Sequence, residues 1–212
     1  MARHLLLLDV DDTLYPGTRG VVSHVDRLIN RYLIERVGVS PDVVDETRRS
    51  MWAEYGTTLH GLMYRHGIDP DDYLAFVHDI DHEALLGPDP ALDAVLRRVP
   101  LLKVAFTNGS FAHAARVLDR LGVRVLFFRL YALERLRYVP KPYVQAYLDL
   151  LADLHTTAAD CILVEDNAGN IRAARQLGMR TVHVAGDGPG APEADVRVAS
   201  ILELPDALAR LA

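Results

Sequence analysis

The sequence predicts an α/β fold: an open, parallel sheet with an all-helical segment inserted after its first strand. Three observations carry this expectation. The uninterrupted apolar run Leu5-Leu6-Leu7-Leu8 stops in acid at Asp9, as a strand buried on both faces does where it emerges from a sheet. Two later stretches, 101–110 and 161–167, each run from an apolar strand through a tight polar turn into a helix, the pattern of parallel-sheet units. Between residues 20 and 85 nothing reads as a strand, whereas apolar residues recur at helical spacing.

Taken in order, Leu5 to Leu8 form the first strand, and Asp9-Val10-Asp11-Asp12-Thr13 follows at its carboxyl end. Tyr15-Pro16-Gly17 is turn chemistry. Val22, Val25, Ile29, Tyr32 and Leu33 share one helical face, stopped by Gly38. Ser40-Pro41-Asp42 opens a second helix running to Gly56, a cap followed by proline in the first turn; the same device recurs at Asp69-Pro70 and Asp89-Pro90. Thr58 to His66 is a short helix closed by Gly67. Alternation resumes with the strand 101–106 and the helix 111–121; Val123 to Phe128 is a further candidate strand. Lys141-Pro142 is expected to start a helix with proline in its first turn. Strand 161–164, helix 169–177 and strands 181–184 and 196–198 complete the chain, with a glycine-rich loop expected to be mobile at 186–190.

With 212 residues, half of them hydrophobic, the chain can bury a sizeable core. A formal charge of −6 gives no basic field to attract a nucleic-acid backbone, so a polymer partner is not expected. One cysteine excludes an internal disulfide, and Cys161, opening an apolar strand, reads as a small buried hydrophobe. No long apolar N-terminal stretch points to secretion or membrane insertion, so a cytoplasmic enzyme is expected, as monomer or homodimer.

The chemistry lies where strands end. Ligands of open α/β sheets bind outside the carboxyl ends of the strands, and three tips here are polar: Asp9/Asp11, Thr107/Asn108 and Glu165/Asp166. Paired carboxylates repel unless a hard cation joins them or one keeps a proton. With Mg²⁺ present, one carboxylate can attack phosphorus while its neighbour protonates the leaving oxygen. A Thr hydroxyl, a helix-start amide, the Lys141 ammonium and Mg²⁺ would together surround a phosphoryl group. Taken singly, the acid and Thr-Asn tips also read as helix caps, and Lys141 as a solvated lysine. Taken together, the four groups favour one phosphoryl-transfer site.

The order Asp9-x-Asp11-x-Thr13, Thr107-Asn108-Gly109, Lys141-Pro142, Glu165-Asp166 resembles the haloacid dehalogenase superfamily along the whole chain. The resemblance implies a Rossmann-like core at 1–16 and 88–212 and a mobile helical cap at 17–87, hinged near Tyr15-Pro16. It implies Asp9 as nucleophile and Asp11 as general acid/base, with Thr107, Asn108 and Lys141 holding phosphate. Mg²⁺ would be bound by Asp9, the backbone carbonyl of Asp11 and Asp166, with Glu165 supporting through water. A finer likeness, in Asp9 to Pro16, Tyr55-Gly56-Thr57-Thr58-Leu59-His60-Gly61-Leu62 and Asp72-Tyr73, is to the pyrimidine 5′-nucleotidase group. It implies nucleoside monophosphates as substrates, although Tyr55, Leu59 and Leu62 also fit the cap's own packing. Tyr15 and His60 are the candidate substrate contacts.

A sugar-phosphate phosphatase or a hexose-phosphate mutase would share the same acids. A hydrolytic dehalogenase has no leaving alkoxide to protonate, so Asp11 favours phosphate. A phospho-receiver domain carries its acids and lysine in another order and lacks the insert, and a non-catalytic binding protein would spare one of the polar tips. His24, His60, His66, His78, His82 and His113 form no metal pattern and read as surface or hinge residues.

Overall fold

A computed structural model describes residues 5–186, 188 and 190–211. The expected mobile loop at 186–190 includes Asp187 and Pro189, which lie outside the described residues.

The first strand, β1 (Leu5–Leu8), is buried along its whole length. Its side chains alternate between faces: Leu6 and Leu8 enter one apolar cluster, Leu5 and Leu7 the other. Four helices of the insert follow: α1 (Val21–Tyr32), α2 (Val44–Tyr55), α3 (Thr58–His66) and α4 (Pro70–Val77). The chain returns through the short α5 (His82–Leu85) and α6 (Pro90–Arg98). Then come β2 (Leu102–Phe106), α7 (Phe111–Arg120), β3 (Phe127–Tyr131), α8 (Val144–Asp153), β4 (Cys161–Glu165) and α9 (Ala168–Gln176). Finally β5 (Arg180–Val184), β6 (Val196–Val198) and α10 (Leu204–Leu211) close the described chain.

Among the described residues the strands form one parallel sheet in the order β3-β2-β1-β4-β5-β6. The chain winds outward from β1 to β3, then crosses back over β1 to begin β4. The carboxyl ends of β1 and β4 therefore flank the switch in winding direction, where such sheets bind ligands. Helices α6, α7 and α10 cover one face through Leu92, Leu96, Val117, Leu118 and Leu204. On the other, α8 and α9 do so through Tyr147, Leu150, Ala173 and Ala174. Each fully buried leucine of β1 contributes about 1.5–3 kcal/mol.

The insert has its own apolar cluster, in which Tyr32, Met51, Leu62, Tyr73, Leu74 and Val77 are buried. Tyr32 and Tyr73 meet edge to face at 4.9 Å. Leu133, from the loop after β3, joins this cluster and so ties insert to sheet. Gly56 ends α2 at φ 74°, and a Cβ there would approach Pro142 Cδ at 3.2 Å. Glycine thus lets the insert close onto the 141–143 loop.

Helix starts divide into two kinds. Asp69 accepts the Asp71 amide and Asp89 the Leu92 amide, each beside a first-turn proline, as expected. Ser40 makes no such bond; Pro41–Val43 is a separate 3₁₀ turn and α2 begins at Val44. Pro142 does not sit in a helical first turn either. The Lys141-Pro142 peptide is cis and α8 begins at Val144, so Lys141 comes off an irregular turn. The strand expected at 123–128 instead starts at Phe127, after a 3₁₀ turn at Arg124–Leu126.

Candidate active site

Parallel register sets Leu8 beside Ala105 on one side and Val164 on the other. The next residues of β1, β2 and β4 therefore leave the sheet together: Asp9, then Thr107 just past Phe106, then Glu165 with Asp166. The Asp9 amide still bonds the Val164 carbonyl, at 3.0 Å. Beyond it the chain turns sharply. Asp12 adopts the left-handed conformation, which Asp tolerates better than most residues, and the Leu14 amide returns to the Val10 carbonyl. This turn sets Asp9 and Asp11 at the rim of one cavity.

Lys141 is 1% exposed, yet its ammonium is fully bonded: 2.7 Å to Asp9 Oδ1, 2.6 Å to Glu165 Oε2 and 2.7 Å to the Phe106 carbonyl. Burial disfavours its charge, but Asp9 and Glu165 outweigh that and raise its pKa above the ordinary lysine value. Burial pushes Asp9 up to about 7, helped by the Glu165 charge and opposed by Lys141. Glu165 likewise rises to about 7, through burial and the Asp166 charge against the opposing pull of Lys141. Asp166 rises to about 6, through burial and the charge of Asp9. The Thr13 hydroxyl lies 3.2 Å from Asp9 Oδ2 and 3.1 Å from Asp166 Oδ1. With one proton to give, it can serve only one at a time.

Asp9, Glu165 and Asp166 present carboxylate oxygens that all lie within 4.8 Å of one another. Such a set is hard, anionic and crowded, with protonation favoured by repulsion. Those properties suit a small divalent cation with oxygen preference. His183 steadies this edge. Its Nδ1 accepts the Ala191 amide at 2.9 Å, so Nε2 carries the proton and donates to the Asp166 carbonyl at 2.7 Å.

Asp11 faces a different set of partners. Tyr15 donates its hydroxyl to Oδ1, and His113 Nε2 lies 2.9 Å from the same oxygen. Burial raises the carboxyl's pKa, but His113 and Tyr15 outweigh it and hold it below the usual range, at about 2. Gly109 makes room for this contact: a Cβ there would meet His113 Cδ2 at 3.1 Å and Thr107 Oγ1 at 3.3 Å.

Asp9, Asp11, Thr107, Asn108, Lys141 and Asp166 line the floor of a cavity of about 580 Å³. Its other wall belongs to the insert, with Ile29, Arg49, Trp52, Leu59, Tyr73 and Val77 among the residues that face it. Sheet tips and insert thus enclose one space.

Several expected contacts fall differently. Both ends of the Asn108 side chain are spent on the backbone of Lys141, donating to its carbonyl at 2.9 Å and accepting its amide at 2.8 Å. Asn108 therefore holds the lysine loop, with one N–H of its amide left over at the cavity. Tyr15 is 2% exposed and lies outside the cavity wall, with its hydroxyl on Asp11. His60 packs against Tyr143 at 4.9 Å, at the seam between insert and sheet, and does not line the cavity. His24 and His66 are partly or fully exposed, as expected. His78, His82 and His113 are buried instead, because α4, α5 and α7 close over them. The signal that could have found His113 is its place in the first turn after the Thr107-Asn108-Gly109 tip, on the same sheet edge as Asp11.

The haloacid dehalogenase-like hydrolase family matches residues 4–178. The chain belongs to that family. Among relatives, the chain is 26% identical over 203 residues to phosphate metabolism protein 8 of Saccharomyces cerevisiae, a match covering 88% of this chain and 63% of that protein. The chain thus spans less than two thirds of the yeast protein's length. It is 28% identical over 198 residues to the glyceraldehyde 3-phosphate phosphatase of Methanopyrus kandleri, covering 84% and 82%. The L-2-haloacid dehalogenase of Xanthobacter autotrophicus shares the fold over the full length of both chains, with a TM-score of 0.64 and 16% identity. The proteins it resembles thus carry the names of a phosphatase and of a dehalogenase, so the fold does not choose the reaction.

Proposed function

We propose that this hydrolase is a Mg²⁺-dependent phosphomonoesterase that works through an aspartyl-phosphate on Asp9. The observation that carries this reading is the second acid. Asp11 is held by two hydrogen-bonding partners at the cavity rim, where a reaction that releases an alkoxide needs an acid to protonate it. Attack on a carbon–halogen bond releases halide, which takes no proton.

The residues fit the metal. Asp9 and Asp166, with the Asp11 carbonyl, would hold Mg²⁺, while Glu165, already bonded to Lys141 and to the Asn167 amide, braces the set. When bound, Mg²⁺ supplies neutralisation of the phosphoryl oxygens. Asp9 attacks phosphorus and displaces the alcohol; Asp11, ionised at rest, passes to the leaving oxygen the proton it shares with His113. Water then attacks the aspartyl-phosphate, Asp11 takes a proton from it, and Asp9 departs with the release of inorganic phosphate. The Thr107 hydroxyl, which accepts the Gly109 amide, keeps its proton for a phosphoryl oxygen. Lys141 has no free N–H. It reaches the phosphoryl group by giving up its bond to Asp9, the one partner whose charge phosphoryl transfer removes.

As substrates we infer nucleoside monophosphates, supported by the aromatic and aliphatic cap wall of Trp52, Tyr73 and Leu59, which suits a flat base better than a small polar sugar. The archaeal relative's name favours glyceraldehyde 3-phosphate as the second reading. A panel of UMP, CMP, glyceraldehyde 3-phosphate and a hexose phosphate, with Mg²⁺ and with chelator, separates the two. Phosphate release from the pyrimidine nucleotides, lost on chelation, is expected; phosphate from none of the esters overturns the phosphatase reading. Asp9→Asn should lower turnover by about 10³-fold or more, since an amide is no nucleophile. An unchanged rate would remove the nucleophile from Asp9.

A further inference from the structure

Two buried histidines stand in series behind Asp11. His113 Nε2 meets Asp11 Oδ1 at 2.9 Å, His113 Nδ1 meets His82 Nε2 at 3.0 Å, and His82 Nδ1 meets the Ile80 carbonyl at 3.0 Å. His78 stacks on His113 from the side, with centroids 4.4 Å apart and planes 18° off parallel. His82 and His78 lie on the strand of chain by which the insert returns to the sheet, and Tyr15 lies on the one by which it leaves. Both crossings therefore bear on the same carboxyl.

The end of the chain decides its wiring. A backbone carbonyl only accepts, so His82 Nδ1 must carry a proton. Three hydrogen bonds run between two acceptors, the Ile80 carbonyl and the Asp11 carboxylate, and need three protons. Two neutral imidazoles bring two. The row as a whole therefore carries one proton more than its neutral rings, shared along bonds that end at Asp11.

We propose that His113, held in place by His82, is the positioning residue for Asp11, fixing the carboxyl that protonates the leaving oxygen. This rests on the phosphatase reading. His113 reaches the edge of the cavity but acts through Asp11, holding its carboxyl with Nε2 at 2.9 Å from Oδ1 and 3.2 Å from Oδ2. Asp11 hands one proton to the leaving alkoxide and regains one from the attacking water, so the histidines end each cycle unchanged.

The consequence is selective. Poor leaving groups need protonation and activated ones do not. Turnover is measured on an alkyl phosphate and on p-nitrophenyl phosphate, with Mg²⁺ present, for the wild type and for His113→Leu, His113→Gln and His82→Leu. His113→Leu should lose about 10²-fold in kcat on the alkyl ester and about threefold or less on the aryl ester, with KM unchanged. His113→Gln, which restores an N–H facing Asp11, should recover most of that loss. His82→Leu should show the same preference in milder form. Equal losses on both esters, losses confined to KM, or no recovery in His113→Gln overturn the proposal. If His113→Leu does not fold, the His113→Gln and His82→Leu rate ratios decide it by the same criterion. A wild type that hydrolyses neither ester defeats the phosphatase reading instead, so the two failures are told apart.

Discussion

Lys141 balances two buried carboxylates and is therefore the side chain whose loss costs most. Lys141→Met preserves length and apolar contact but leaves Asp9 and Glu165 without their cation in a dry site. Removing one member of a buried ionic cluster costs about 3–5 kcal/mol. Urea unfolding at pH 8 should show a loss of that size, together with loss of phosphatase activity; a variant as stable as the wild type would mean that the two acids shed their charge freely. The places of Asp9, Thr107, Glu165 and Asp166 on one sheet edge are legible in the sequence because each follows an apolar strand; that of Lys141 is not, since it comes off an irregular turn and not a helix start. Nor are those of Tyr15 and His113. Their contacts with Asp11 are fixed by side-chain direction and by a pairing across 102 residues, which no local pattern records. That Asn108 also grips the Lys141 backbone is not legible, because that backbone depends on the irregular turn at Lys141.

Among elements, α4 illustrates what a helix adds beyond its own packing. It delivers His78 into the sheet side of the molecule, where Nδ1 is buried without a partner among the described residues and the ring stacks on His113. Burial pushes His78 down to about 3, helped by the His113 charge. Its folded-state value lies below the ordinary 6.5, so the unfolded chain binds the proton more tightly. The associated stability is complete above pH 6.5 and is lost as pH falls toward 3. His78→Phe removes that proton and the orphaned nitrogen while keeping an aromatic ring. The dependence of unfolding free energy on pH between 6.5 and 4 should become shallower by about 1.4 kcal/mol per pH unit. Identical slopes would show that His78 is not held neutral. The helices themselves were readable: Asp69-Pro70 and Asp89-Pro90 carry both cap and first turn in four residues. Ser40-Pro41 and Lys141-Pro142 look alike in sequence but start no α-helix, since no side chain caps the first-turn amides at either place.

At the scale of the molecule, the order β3-β2-β1-β4-β5-β6 is what brings Asp9 and the distant Glu165 and Asp166 to one edge, and no stretch of sequence states it. Parallel sheet and helical insert are legible from periodicity; that β4 lies against β1, and not beyond β3, is a long-range pairing that periodicity does not carry. That placement concentrates negative charge where burial already opposes it. Without metal, Asp9 and Glu165 bind protons more tightly folded than unfolded, since both values rise to about 7. Their contribution is thus favourable on the acid side and is lost as pH rises through about 7. Mg²⁺ needs the ionised forms and should reverse the trend, stabilising most where the acids have lost their protons. At a concentration 100-fold above its Kd, Mg²⁺ adds about 2.7 kcal/mol. For a chain of this size that is a rise in Tm of about 5–10 °C. Thermal unfolding should show a shift of that order at pH 8 and a much smaller one at pH 5.5, and Asp166→Asn should abolish it at both. An equal shift at the two pH values, or one that survives Asp166→Asn, would place the cation elsewhere and detach the crowded acids from the chemistry assigned to them.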